Sequence, residues 1–441
     1  MSMKSSTKTM YCKPCGTASE QMHIVQTLTM WVFCFLVAIH CIENTSLIYE
    51  NLQWIEIMYK IRNLMYVLLL AKAGFAAVYR PRELWCMLLV LAAAALSLIF
   101  STDFTLMEFA IIAIALKDLP HRKLLYAFTL IKSASIVLTI LGTSLDLIPN
   151  IIYENGNEGV YYTYGFCHRN VLGANMSVIC LAWLYLRYNH LRVLDLLLWI
   201  VMTGLTYMLA LSRTSLLIMV MSIFVMAFCY YLGSYIARNQ FFRRFIMFCF
   251  VCMVIMCVVC TIFYDQDNFI LKIVDKIFTK RLLFARQCLD EYGFSLFGQD
   301  IQFVSTLQAQ TQSVDQPFYQ QMATRLILDN AYMRVLVYNG IIPGALFILS
   351  YCLAILHTWK RKNMALVAGM MIMAFYGVSE RFMLDVNYNF PLLLAFISMF
   401  RQPTMETIDT YRYPMEYVGE VLCMPFKLLR KLVTGAKETI E

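Results

Sequence analysis

The chain has 441 residues, 60% of them hydrophobic and only 15% charged, with a net charge of +8 and a mean hydropathy of +0.64. A soluble domain of this length carries about 25% charged residues and needs a polar surface that this composition cannot supply. A basic nucleic-acid-binding face is excluded too, because the cations sit in short clusters between apolar runs, as topology signals do.

Residues 1–23 read as a polar tail. Lys4, Lys8 and Lys13 precede the first apolar run, and no small-residue cleavage site follows that run, so no cleaved signal peptide is expected. Cys12 and Cys15 form a lone C-x-x-C. Half a zinc site without its other half reads as an incidental thiol pair, and no metal is expected. Most of the fifteen cysteines lie inside apolar runs, where cysteine behaves as a small hydrophobe.

A membrane span needs about 20 mostly apolar residues. Twelve runs are predicted as spans: 24–42, 63–79, 84–101, 104–117, 124–144, 169–187, 193–210, 214–233, 243–264, 331–356, 363–379 and 386–401. The expected fold class is all-α, a polytopic transmembrane helix bundle. Spans 1–9 fall within 24–264 and spans 10–12 within 331–401.

Cytoplasmic loops carry the excess of Lys and Arg. With the N-terminus inside, the inner loops hold Arg80 and Arg82; Lys117, Arg122 and Lys123; Arg187 and Arg192; Arg238, Arg243 and Arg244; and Lys360, Arg361 and Lys362. The outer segments 102–103 and 145–168 hold no Lys or Arg. Both termini are therefore expected in the cytoplasm. The segment 265–330 becomes one long extracytoplasmic loop. Within it, Leu271, Val274, Ile277 and Phe278 recur at helical spacing, which predicts an amphipathic helix on the membrane surface or capping the bundle. Gly293 and Gly298 break that pattern, and a Gln-rich stretch follows. The tail 402–441 contains a basic amphipathic stretch at 424–433 that suits the anionic inner leaflet. No internal repeat is visible, although a transporter built from two inverted halves should show one.

Charged residues at span edges are costly and are often functional. The outer edge is rich in them. His168, Arg169 and Asn170 open the sixth span; Ser212, Arg213 and Thr214 open the eighth; Asp329 and Asn330 open the tenth; Glu380 and Arg381 separate the last two. A planar fork of donors at this depth suits a phosphate or pyrophosphate. The bland alternative is that Arg169 and Arg213 snorkel toward lipid headgroups. His168 is either a general base or a hydrogen-bonded residue that orders its loop. Asp329 and Glu380 either take a proton from a sugar hydroxyl or pair with Arg213 or Arg381. Lys72 and Lys132 lie within apolar runs and either face a polar cavity or are structural. Cys167 and Cys288 share the outer side, where a disulfide is one option.

Several segments, in order, resemble the bacterial polysaccharide repeat-unit polymerases of the O-antigen ligase/polymerase superfamily. They are Gly165-Phe166-Cys167-His168-Arg169-Asn170-Val171-Leu172-Gly173, Leu211-Ser212-Arg213-Thr214-Ser215-Leu216-Leu217, Lys280-Arg281-Leu282-Leu283-Phe284, Leu296-Phe297-Gly298-Gln299, Leu328-Asp329-Asn330-Ala331-Tyr332 and Gly340-Ile341-Ile342-Pro343-Gly344. The likeness covers roughly residues 160–400.

The resemblance implies a plasma-membrane glycosyltransferase that polymerises polyprenyl-diphosphate-linked oligosaccharides into capsular, O-antigen or exopolysaccharide chains. The transfer would be inverting and need neither metal nor cofactor. On this reading Arg169, Asn170, Arg213, Arg281, Asn330 and Arg381 bind diphosphate or sugar, and His168, Asp329 or Glu380 supplies the base. A flippase and a chain-length regulator are the implied partners, beside the lipid bilayer; no nucleic acid is involved. The ligases of this superfamily carry a histidine-rich stretch before the late helix, where this chain reads Ile327-Leu328-Asp329-Asn330. That difference favours a polymerase over a ligase. A polysaccharide flippase or secondary transporter is the reading from a different class.

Overall fold

The computed structural model describes residues 16–399, except 50–51, 78, 118, 156–158, 266, 279, 302 and 304–327. Cys12, Cys15, the Gln-rich part of the long loop, the 424–433 stretch and the placement of both tails lie outside the described residues.

The described chain is almost entirely helical. In order come α1 (Gly16–Glu43), α2 (Leu52–Ala71, continued by a π-helical turn at Lys72–Ala76), α3 (Pro81–Ser101), α4 (Thr105–Ala115) and α5 (His121–Ser144). A hairpin of β1 (Ile152–Asn155) and β2 (Gly159–Tyr162) follows, with Ile152 opposite Tyr162. Then come α6 (Arg169–Arg187), α7 (Val193–Ala210), α8 (Arg213–Arg238), α9 (Gln240–Ile262), α10 (Phe269–Ile277), α11 (Arg281–Tyr292), α12 (Ala331–Val337), α13 (Ile341–Lys360), α14 (Met364–Ser379) and α15 (Phe390–Met399).

Among the described residues, eight helices are long and apolar enough to cross a membrane: α1, α3, α5, α6, α7, α8, α9 and α13. This is the helix set of a multi-pass membrane protein. The expected count of twelve differs from it in three informative ways. Three predicted spans are short helices, α4, α14 and α15, of 11, 16 and 10 residues. Nearly every residue of these three is buried, so they are apolar because neighbouring helices surround them. Hydropathy alone cannot tell a lipid-facing span from a core helix. The second span, predicted at 63–79, instead starts at Leu52, and its first half carries Glu56, Lys60 and Arg62. The tenth, predicted at 331–356, is broken at Gly340.

That break has a steric cause. Gly340 has φ +98°, and a Cβ there would lie 2.3 Å from the Gly298 nitrogen. Only glycine lets the 295–299 segment press into the gap. There Ile341 N–H donates to Ser295 O at 2.9 Å, and Gln299 N–H donates to Tyr338 O at 3.0 Å.

Two ends of the bundle can be followed through contacts. At one end Cys167 N–H donates to Asn44 O at 3.0 Å, Thr102 Oγ1 donates to Asp300 Oδ1 at 3.0 Å, and Asn339 Nδ2 donates to Asp103 Oδ2 at 3.2 Å. At the other, Lys117 Nζ meets Glu83 Oε2 at 3.3 Å, Arg122 donates to Leu186 O at 3.1 Å, and Asn363 Nδ2 donates to Tyr185 OH at 3.1 Å. In the first group Asn44, Thr102, Asp103, Cys167 and Asp300 are predicted outer-loop positions, while Asn339 falls inside the tenth predicted span; in the second Glu83, Lys117 and Arg122 are predicted inner-loop positions, while Tyr185, Leu186 and Asn363 fall within the ends of predicted spans.

The 145–168 loop holds one element the sequence reading left out. Ile151-Ile152-Tyr153 and Val160-Tyr161-Tyr162 flank Asn155-Gly156, a hairpin signal of β-branched and aromatic runs around a turn pair.

Candidate functional site

Three helix starts converge at the end that carries the long loop. Each is capped by its own side chain, as the orphan N–H groups of a first turn require. His168 Nδ1 accepts from Asn170 N–H at 3.1 Å at the start of α6. Ser212 caps α8 and also touches Ser215 Oγ at 3.1 Å. Asn330 Oδ1 accepts from Tyr332 N–H at 3.0 Å and Met333 N–H at 3.1 Å, starting α12. Gly173 lets α6 and α8 meet closely: a Cβ there would stand 2.6 Å from Ser215 Oγ and 3.1 Å from Ser212 Cβ.

Glu380, just past the end of α14, lies where these starts meet. Its Oε1 accepts from Arg281 Nη2 at 2.6 Å, from Asn170 Nδ2 at 3.3 Å and from Thr214 Oγ1 at 3.3 Å. The other arm of Arg281 pairs with Asp329 Oδ2. One carboxylate thus ties together α6, α8, α11 and α14, and one guanidinium ties that carboxylate to the segment before α12. The Glu380 side chain is 4% exposed and Arg281 10%, whereas Asp329 is 32% exposed. Asp329 is therefore the acid of this trio that a substrate can reach.

The remaining cations stand around this knot. Arg213 and Arg381 are exposed, Arg169 is half-buried, and none of the three makes an ion pair with a described acid. Arg169 lies 4.3 Å from the centre of the Tyr161 ring, a cation–π contact supplied by the hairpin. Leu211 (φ +46°) and Lys280 (φ +64°) hold left-handed backbone immediately before Ser212 and Arg281. Such geometry costs about 1–2 kcal/mol per residue and persists where surroundings enforce it.

The electrostatics follow from burial and neighbours. Burial pushes the Glu380 carboxyl up to about 7; Arg281 opposes this, while the nearby Asp329 charge adds to it. Burial pushes His168 down to about 4, helped by Arg169. His168 is neutral near pH 7, with its Nδ1 lone pair taken by Asn170, so its proton sits on Nε2. Burial pushes the Cys167 thiol up to about 11. Cys167 and Cys288 are both free thiols.

Several expectations change here. Asp329 and Glu380 do pair with an arginine, but it is Arg281 and neither Arg213 nor Arg381. Arg281, expected on the diphosphate, is held by two acids. Asn330 is buried and fully used, its Nδ2 donating to Val378 O at 3.0 Å, so it shapes the site and does not face a ligand. His168 is placed as a donor at Nε2, because a base needs a free lone pair. Lys132 is buried, donates to Asn175 Oδ1 at 2.6 Å and sits 4.5 Å from the Tyr388 ring centre. Lys72 is buried and donates to Ala115 O at 2.7 Å. Both are held by the bundle.

Sequence reasoning missed a second buried cluster. His40 Nδ1 meets Glu43 Oε2 at 3.0 Å, and His40 Nε2 meets Glu108 Oε1 at 2.7 Å. Arg62 Nη1 meets Glu43 Oε1 at 2.7 Å. The signals were a His and Glu three apart at the end of α1 and a lone Glu in apolar α4. Two apolar grooves also open along the helices. One of about 360 Å³ is lined by Ala93, Leu106, Phe109, Pro343 and Phe347 among others. The other, of about 330 Å³, is lined by Leu130, Trp183 and Leu198 among others. Neither is lined by the charged residues around Glu380. No group of three or more potential metal ligands occurs among the described residues.

Comparison with protein-family models, curated proteins and solved structures finds no match for this chain.

Proposed function

We propose that this chain polymerises oligosaccharides carried on a polyprenyl diphosphate, on the extracytoplasmic side of a bacterial plasma membrane, by inverting transfer without metal or cofactor. One observation carries the reading. Glu380 gathers the segments bearing Arg169, Arg213, Arg281, Asp329 and Arg381 at one end of the bundle. The resulting surface has an excess of unpaired guanidinium groups beside one reachable carboxylate. That combination suits an anionic leaving group next to a hydroxyl that must lose a proton. The short segments 102–103 and 145–168 at that end hold no Lys or Arg, which supports an orientation away from the cytoplasm.

In this reading Arg213 and Arg381, with Arg169, grip the diphosphate of the donor. Asp329 accepts the proton of the acceptor sugar hydroxyl. The acceptor oxygen attacks the anomeric carbon, the carbon–oxygen bond to phosphate breaks, and the diphosphate departs with the electron pair, which inverts the anomeric centre. Glu380 and Arg281 act as positioning residues. Transfer of a finished glycan by a ligase would need the same donor grip.

The reading from another class, a transporter, draws on the buried charges His40, Glu43, Arg62, Glu108 and Lys132. Those charges are hydrogen-bonded to protein partners in the structure, which gives them a packing role without any flux.

Arg213→Ala tests the proposal. The variant should insert and melt normally, yet cells producing it should make single repeat units in place of long glycan. Normal glycan length would remove Arg213 from the mechanism. Flux of lipid-linked glycan across proteoliposomes, with no lengthening, would favour the transporter.

A further inference from the structure

The helix α10 is built the reverse of a soluble surface helix. Phe269, Ile270 and Ile277 are 75%, 70% and 70% exposed, and Ile273 is 45% exposed. At about 100° per residue these four share one face. The opposite face holds Asp275, which is 5% exposed. Its Oδ1 accepts from Leu282 N–H at 2.9 Å and Leu283 N–H at 3.1 Å, and its Oδ2 accepts from Tyr264 OH at 3.0 Å. The carboxylate points into the protein and the hydrocarbon points out. At 9 residues the helix is about 13 Å long and too short to cross a membrane.

What covers the apolar face follows from its surroundings. The helix begins seven residues after α9 ends at Ile262, and exposed apolar side chains run up to it through Val259 and Ile262 of α9 and the following Phe263. Lys272, Lys276 and Lys280 are exposed beside the apolar face. An apolar stripe flanked by cations, continuous with a membrane-crossing helix, matches the boundary between acyl chains and anionic headgroups.

We propose that α10 is an interfacial lipid-binding helix. Phe269, Ile270, Ile273 and Ile277 enter the acyl–headgroup boundary, and Lys272, Lys276 and Lys280 engage anionic headgroups. Because Asp275 caps α11, whose first residue is Arg281, the docked helix also seats Arg281 between Asp329 and Glu380. The significance of that last link rests on the function proposed above, but the lipid contact does not.

The test uses the full chain in nanodiscs and needs no glycan. With p-benzoylphenylalanine in place of Phe269 or Ile273, ultraviolet light should yield a phospholipid adduct by mass. The same group in place of Asp290, on the polar side of α11, should yield none. A cross-link from 269 to another segment of the chain, or no adduct, overturns the proposal. Adduct yield should be higher with phosphatidylglycerol than with phosphatidylcholine, and a Lys272→Gln, Lys276→Gln, Lys280→Gln variant should equalise the two. Equal yields in the unaltered chain remove the headgroup contact. Ile270→Asp with Ile273→Asp should undock the helix and raise amide exchange at Leu282 and Leu283 at least fivefold, with 331–337 unchanged. Unchanged exchange at those two amides breaks the link to Arg281. None of these outcomes depends on whether the protein joins sugars.

Discussion

Two clusters of acids and bases lie in this bundle, and they are built differently. In the first, Glu380 and Asp329 share Arg281 while Arg213 and Arg381 stand exposed beside them, neither ion-paired with a described acid. In the second, His40, Glu43, Arg62 and Glu108 pair with one another and are largely covered. Isolated charges in a bundle are expensive, so a bundle tolerates them either closed upon themselves or open to something that completes them. The closed cluster holds helices together. The open one is left short of negative charge, which on the function proposed above an anionic ligand would supply.

Removing a partner from the closed cluster should show the largest effect. Glu43→Ala leaves the half-buried Arg62 without its carboxylate and takes one of two acids from the buried His40; a broken buried pair costs about 3–5 kcal/mol, and partial exposure of Arg62 lowers that figure. Thermal unfolding in nanodiscs should show a large drop, and surviving folded protein should keep its glycan-lengthening activity. A normally stable but inactive variant would break the contrast between the clusters.

The open cluster should respond the other way round. Asp329→Asn keeps the size and the acceptor oxygen for Arg281 but cannot take a proton. Lengthening should fall by about 10²-fold or more, the usual contribution of a positioned base, with little loss of stability. Full activity in Asp329→Asn would remove Asp329 as the base.

The smallest effect sharpens the role of Glu380. Its folded carboxyl titrates at about 7, above its ordinary 4.5. The folded state therefore holds this proton more tightly than the unfolded chain. The stabilisation is complete below about pH 4.5 and is lost as pH rises through 7. Glu380→Gln cannot ionise, so it should flatten that decline, narrowing the difference in melting temperature between pH 5 and pH 8 by about 2–4 °C. An unchanged pH profile would place the titrating group elsewhere.

Much of this was legible in the chain. The apolar runs located the long helices. His168, Arg169, Asn170, Asp329 and Glu380 stood out as polar residues at span edges. Less visible were the broken helix at Gly340 and the caps at His168 and Asn330. Both depend on what packs against them: a Cβ at 340 is forbidden by the 297–298 backbone, which lies over forty residues away. The hairpin was missed for a different reason, since its short apolar strands were lost in a chain rich in apolar runs.

Helix formation and burial in lipid are sums over neighbouring residues, each contributing its own transfer free energy, so the amino-acid order by itself determined where the long apolar helices run. Ion pairing falls off with distance through space and takes no account of separation along the chain. Arg281 lies 48 residues from Asp329 and 99 from Glu380, and only the folded bundle decided that it would meet those two acids, leaving Arg213 and Arg381 exposed. The same packing decided that α4, α14 and α15 are short core helices, because apolar side chains look alike whether lipid or protein surrounds them.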